Sequence, residues 1–269
     1  MIVDGQIIVP ALALRTPDGA RLDAEATARY ARRAAGTWAD AFILSGSTTR
    51  GDQLTVDERG ELLDLWSSLV PASRLVACCW CEEDVQEAAR HAITPMIVMH
   101  SPLDAEQALS LLASLPPGAY VYSHPKYGSA VLDATLTAAA RQRGVLPAGG
   151  KISKITEGEI AAIRHAAGSR WTLWDASARH IHTSLAAGAS GVVATPLSHI
   201  PIPFPRRALA VLQLAIDAVQ QQLDDLPSRA ARSGLLHQLA SRNGTISTTC
   251  SRLRSSSEPS SQNAISSAM

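Results

Sequence analysis

The sequence predicts an α/β fold of the (β/α)8 barrel (TIM barrel) type, and three observations predict it. Short runs rich in Ile, Val and Leu alternate eight times with amphipathic stretches of helical period within residues 1–225. The runs are almost continuously apolar, as strands buried on both faces of a parallel sheet are. The competing architecture, a doubly wound sheet, would place a glycine-rich turn after the first strand, and "ALALRTPDGARLD" holds no G-x-G-x-x-G.

The strand-like runs are "QIIVPALAL" (6–14), "AFILSGS" (41–47), "RLVACCW" (74–80), "PMIVMHS" (95–101), "AYVYSHP" (119–125), "VLPAGGKIS" (145–153), "RWTLWDA" (170–176) and "ASGVVATP" (189–196). Helices are expected between them, at 23–36, 55–70, 82–93, 104–114, 130–143, 156–167 and 177–187, with an eighth at 206–224. Thr55-x-x-Glu58 and Thr156-x-x-Glu159 are capping-box patterns, and Gly144 and Gly168 stand where helices should stop. A short helical extension packed outside the barrel is expected at 226–242. Residues 243–269, Ser/Thr-rich and without apolar period, read as a disordered tail.

Composition excludes several classes. The chain has 269 residues, 46% apolar and 18% charged, with zero formal net charge, which leaves no electrostatic footprint for nucleic acid or an anionic membrane. No apolar run approaches the ~18–20 residues of a membrane span. "MIVDGQIIVP" carries an acid where a signal peptide wants basic residues, so a cytoplasmic protein is expected. Cys78, Cys79 and Cys81 crowd into "ACCWCEED", but a zinc site needs further ligands and Cys250 lies in the tail, so buried cysteines acting as small hydrophobes are the expected reading. His180 and His182, two apart on a helix, diverge and make a poor shared metal site. No metal and no cofactor are expected.

In a barrel, chemistry gathers at the C-terminal ends of the strands. Those ends carry Ser47, Thr48 and Thr49 (second strand), His100 and Ser101 (fourth), Tyr122 and His124 (fifth), Lys151 (sixth), and Asp175 and Ser177 (seventh). Lysine itself is a signal. The chain has three lysines against 21 arginines, and two of the three lie in "GGKISK". A guanidinium is never deprotonated in a protein, whereas a desolvated amine can lose its proton and attack a carbonyl. Strand alternation puts Gly149 and Lys151 on one face and Gly150 and Ile152 on the other, with Gly149 expected to leave room for substrate.

These residues carry a resemblance. "GSTTRGDQLTVDER" resembles the strand-2 signature of the dihydrodipicolinate synthase/N-acetylneuraminate lyase family, Gly-Thr-Thr-Gly-Glu followed by Leu-Ser/Thr and an acidic helix start. "VYSHP" is similar to the family's Tyr-Asn-x-Pro, "GGKIS" to its Gly-x-Lys-Asp/Glu-Ser, and "AAGASGVVATPLSHIP" to its Gly-Ala-x-Gly-Val-Ile segment, in the same order over about residues 6 to 202. The resemblance implies a metal-independent class I aldolase or lyase that forms a Schiff base with pyruvate or another 2-oxo acid. It makes Lys151 the imine lysine, Tyr122 the proton carrier, and Ser47 and Thr48, with Gly46 beside them, the carboxylate binders. Lys154 has a competing claim, because "KITEGEI" mimics the text just after the family's lysine; the spacing from Tyr122 and onward to "WTLWD" favours Lys151. A homo-oligomer, tetramer or dimer, is implied as well.

The chain also departs from that pattern. The family's strand-2 glutamate is Arg50 here, and Arg50 or Lys126 is expected to meet an anionic group on the substrate. The strand-4 tyrosine that serves as a second proton carrier is absent from "VMHSPLD", leaving His100 and His124 as replacements or as ordinary rim histidines. Trp80 and Trp174 fit packing or pocket walls equally. The alternative to an enzyme is a catalytically eroded barrel that binds or senses a small molecule.

Overall fold

Near-continuous burial along most of the apolar runs accompanies eight short parallel strands, which close on themselves in chain order. They are β1 (Gln6–Pro10), β2 (Ala41–Leu44), β3 (Leu75–Cys79), β4 (Thr94–Val98), β5 (Tyr120–Ser123), β6 (Gly149–Ile152), β7 (Thr172–Asp175) and β8 (Gly191–Val193). The seam pairs Gln6 with Gly191 and Ile8 with Val193. A Cβ on Gly191 would fall 2.5 Å from the Gln6 carbonyl oxygen, so the seam closes only over glycine. This computed structural model describes residues 2–16, 18–19, 21–100, 102–128 and 130–255.

Side chains alternate across the wall. Ile8, Ile43, Cys78, Met96, Tyr122 and Trp174 fill the barrel interior. Ile7, Val9, Phe42, Leu44, Val121, Ile152 and Leu173 point outward beneath the helices. Trp66 packs there against Phe42 and Tyr30, with ring centres 5.3 and 5.8 Å apart. The cysteines follow the same alternation. Cys78 lies in the interior cluster and Cys79 in the outer one, both unpaired, and burial pushes the Cys78 thiol up to about 12. They behave as small apolar residues.

The helices are α1 (Ala24–Ala35), α2 (Val56–Ser67), α3 (Glu82–Arg90), α4 (Ala105–Ser114), α5 (Ala134–Gln142), α6 (Glu157–Ala167), α7 (Ile181–Ala186), α8 (Leu209–Asp224) and α9 (Arg229–Ser255). Both expected capping boxes form. The Thr55 hydroxyl accepts from the Glu58 N–H while the Glu58 carboxylate accepts from the Thr55 N–H, and Thr156 and Glu159 repeat the arrangement. Such a cap is worth about 1 kcal/mol, and here it fixes where the chain leaves the rim. None of the described helices is long and apolar enough to cross a membrane.

The helical extension expected at 226–242 falls within α9 (Arg229–Ser255), and residues 256–269 of the expected tail lie outside the described residues. α9 does not simply sit outside the barrel. Leu236 and Ala240 are buried, Arg33 donates to the Ala240 carbonyl, and Asn243 donates to the carbonyls of His199 and Ile200 just after β8. Its first turn reaches the barrel mouth.

Candidate active site

The turn after β2 is wound tightly by local geometry. Ser45 and Arg50 both adopt left-handed backbone conformations, and the Gly51 N–H donates to the Gly46 carbonyl. A Cβ on Gly51 would lie 1.8 Å from the Ser45 carbonyl oxygen, so only glycine permits this crossing. The Thr49 hydroxyl closes the turn on the Gly46 carbonyl, and the Trp80 indole donates to the Ser45 carbonyl. Ser47 and Thr48 are thereby held at the mouth, and no hydrogen bond among the described residues occupies their backbone N–H groups.

Strand register supplies the opposite wall. Tyr122 on β5 is paired with Lys151 on β6, and both point inward and are buried, with Lys151 4% exposed. The Lys151 Nζ stands 3.9 Å from the centre of the Tyr122 ring. The Tyr122 hydroxyl lies 3.0 Å from the Ser47 hydroxyl. Amine, phenol and alcohol thus converge in one cavity of about 530 Å³, within the range of small-molecule sites. Gly149 does face inward two residues before Lys151, but the room it leaves is filled by protein rather than left open. A Cβ there would meet the Tyr120 ring at 2.8 Å and Thr172 at 2.9 Å.

Two groups at the mouth carry no signal in the linear motifs. Arg229, at the start of α9, forms a two-pronged pair with Asp52, both contacts 2.8 Å, and one of its nitrogens also donates to the Ser47 carbonyl and the Tyr127 hydroxyl. Tyr127 packs edge-on against Trp80. Burial pushes the Tyr127 phenol up from its ordinary value, with an interaction with the Ser47 side chain partly offsetting the rise. The Tyr122 hydroxyl thus meets Ser47, and a guanidinium from the far end of the chain joins Ser47 to the Tyr127 hydroxyl. The "PSR" before α9 has the form of a helix start, yet nothing local says that this helix turns back over the mouth.

The remaining candidates divide. His124 lines the cavity, and its Nδ1 accepts from the Lys126 N–H, so Nε2 carries the proton of the neutral ring. Burial lowers its affinity for a second proton, and the charges of Lys151, Lys154 and Lys126 lower it further. Lys154 also lines the cavity, but it is exposed. Arg50 does not line it. Its left-handed backbone turns the side chain away to Gln53, into a separate cavity of about 350 Å³ shared with Arg15, Ser233 and His237, which corrects its expected role beside the substrate. His100 is exposed, its Nε2 3.2 Å from the Trp80 carbonyl oxygen. The Trp174 indole donates to the exposed Gln6 side chain at the start of β1, and Trp80 braces the β2 turn, so both indoles serve packing. Asp175 is buried, and its oxygens accept from Ser184 and from the Ser177 N–H, tying β7 to the start of α7. His180 and His182 are exposed around the α7 start.

No family model matches the sequence, and no curated protein matches it by sequence. Comparison of the structure with solved structures is informative. KD(P)GA from T. tenax superposes with a TM-score of 0.67 at 19% identity, covering 89% of this chain and 88% of that one. Ruminococcus gnavus sialic acid aldolase gives 0.65 at 13% identity, with 87% and 79% covered. A prophage protein of the dihydrodipicolinic acid synthase family from E. coli K12, in complex with pyruvate, gives 0.60 at 17% identity, with 87% and 79% covered. The chain therefore has the barrel fold found in the dihydrodipicolinate synthase family and in sialic acid aldolase.

Proposed function

We propose that the protein is a Schiff-base-forming, class I aldolase or lyase acting on pyruvate or another 2-oxo acid, and that it makes or breaks a carbon–carbon bond without a metal. The observation that carries the reading is the buried Lys151 amine, 3.9 Å from the Tyr122 ring, with the Tyr122 hydroxyl held on Ser47. The pyruvate complex of the structurally similar prophage protein and the sialic acid aldolase fold support it.

In this reading the 2-oxo acid carboxylate sits against the open N–H groups of Ser47 and Thr48. The Lys151 nitrogen attacks the keto carbon through its lone pair, giving a carbinolamine. Tyr122 donates the proton with which the hydroxyl departs as water, leaving a protonated imine. That cation takes up the electron pair of the carbon–carbon bond as it breaks; in the reverse direction it first gives up a proton from the adjacent carbon to the deprotonated Tyr122 oxygen, and the resulting enamine carbon adds to an aldehyde. Tyr127 is the candidate for a second proton carrier: its ring centre lies 6.1 Å from that of Tyr122, and Arg229 donates to its oxygen.

Borohydride reduction in the presence of pyruvate, followed by peptide mass mapping, tests the reading. A stable adduct on the peptide containing Lys151, absent in Lys151→Arg, is expected. Absence of any adduct across a panel of 2-oxo acids overturns it. If instead a 2-oxo acid raises Tm equally in wild type and Lys151→Arg with no adduct in either, the protein binds without catalysing.

A further inference from the structure

The smaller cavity, of about 350 Å³, opens between the loop after β1, the β2 turn and the first turns of α9, and it shares no lining residue with the cavity that holds Lys151. Among the described residues no carboxylate lines it. Arg15 is committed to Glu58 through two contacts. Arg50 spends only its Nε–H, on the Gln53 side chain, and has no carboxylate partner among the described residues.

α9 supplies the facing wall with Ser233 and His237. Ser233 is 3% exposed, and its hydroxyl has no hydrogen-bond partner among the described residues. Buried hydroxyls are nearly always paired, and a helical serine can use the carbonyl four residues back. Ser241 does this on the His237 carbonyl, whereas Ser233 leaves its hydroxyl to the cavity. The His237 ring is unpartnered as well among the described residues. Burial first, and then the Arg50 and Arg15 charges, push it down to about 4, so at neutral pH it offers one N–H and one lone pair.

Unspent donors, a net positive charge and a volume at the lower end of small-molecule sites select a compact anion. The two walls belong to the segments that Arg229 already joins. Arg50 lies in the turn that carries Ser47 and Thr48, and Ser233 lies one helical turn beyond Arg229, which holds Asp52, the Ser47 carbonyl and the Tyr127 hydroxyl. A ligand bonded to both walls favours the state in which they are docked.

We infer that this second cavity is an effector site for a small carboxylate or phosphate anion, held by the Arg50 guanidinium, the Ser233 hydroxyl and the His237 ring, and that its occupation clamps α9 on the β2 turn and so activates the site at the mouth. The binding stands by itself, and the activation rests on the Schiff-base reading.

Calorimetry on the full chain with inorganic phosphate and with malonate tests the site and distinguishes the two kinds of anion. At least one should bind. Arg50→Gln should raise its Kd about tenfold or more and Ser233→Ala about threefold or more, while Lys154→Ala, at the mouth, should leave it unchanged. Removing an unpartnered hydroxyl takes no bond from the fold, so Ser233→Ala should keep the anion-free Tm of the wild type. Binding of neither anion, binding unchanged in Arg50→Gln, or binding lost in Lys154→Ala overturns the inference. With pyruvate well below saturation, the bound anion should speed borohydride trapping about fivefold in wild type and not in Arg50→Gln. Anion binding with an unaltered trapping rate overturns the activation. Anion binding with no adduct at all overturns the Schiff-base reading and leaves the site standing, whereas an adduct without anion binding does the reverse.

Discussion

Tyr122 and Lys151 are register partners on neighbouring strands, and the lysine amine lies over the face of the phenol rather than at its hydroxyl. The ring forms one wall of the amine's pocket, while the hydroxyl is directed to Ser47. Tyr122→Phe keeps the wall and removes the proposed proton carrier. Imine formation, followed as the rate of borohydride-trapped adduct, should slow about 10²- to 10⁴-fold, with the same final yield at long times. A wild-type trapping rate in Tyr122→Phe would assign proton transfer to another group.

Arg229 binds Asp52, the Ser47 carbonyl and the Tyr127 hydroxyl together, so α9 is part of the site it covers. Arg229→Ala leaves three acceptors without their donor and should cost about 1–3 kcal/mol of stability, read as a lower Tm. It should also lower kcat at least about tenfold while pyruvate trapping persists. Arg229→Lys should recover little of kcat, since an ammonium cannot reproduce the forked contact with Asp52. Full activity in Arg229→Ala would reduce α9 to packing.

Gly51 is the point at which the β2 turn crosses its own backbone. Gly51→Ala drives a methyl group against the Ser45 carbonyl and should destabilise the fold by about 1–3 kcal/mol or shift the turn. The two outcomes separate by measurement: a shifted turn weakens 2-oxo acid binding at unchanged Tm, a strained one lowers Tm. Gly158→Ala, in the first turn of α6 where a Cβ meets nothing within 4 Å, is the contrasting control and should leave 2-oxo acid binding unchanged while raising stability by up to about 1 kcal/mol.

How much of this was legible without coordinates depends on the range of the interaction. The strands were, because burial on both faces writes itself into each apolar run. Tyr122 and Lys151 were, because alternation decides which residues face inward and neighbouring strands bring them together. Arg50 was misread because its direction is decided by two left-handed residues, Ser45 and Arg50, whose conformation has no signature in a non-glycine text. Arg229 was missed because its partners Ser47 and Asp52 lie 182 and 177 residues away.

His237 offers a pH test of the same helix. A free histidine titrates near 6.5. In the folded protein, burial first, and then the Arg50 and Arg15 charges across the smaller cavity, push it down to about 4. Between those values the unfolded chain binds a proton that the folded chain refuses. Stability from this group is therefore fully present above about pH 6.5 and is lost as pH falls through 4, by about 3 kcal/mol at most. His124 and His199 are lowered as well, so the acid slope of the wild type is a sum. His237→Gln isolates one share of it: the difference in unfolding free energy between variant and wild type should shift in favour of the variant by about 2 kcal/mol from pH 7 to pH 4.5. A difference that stays constant over that range would mean that the ring already carries its proton in the fold, and that α9 does not shield it from the charges around Arg50.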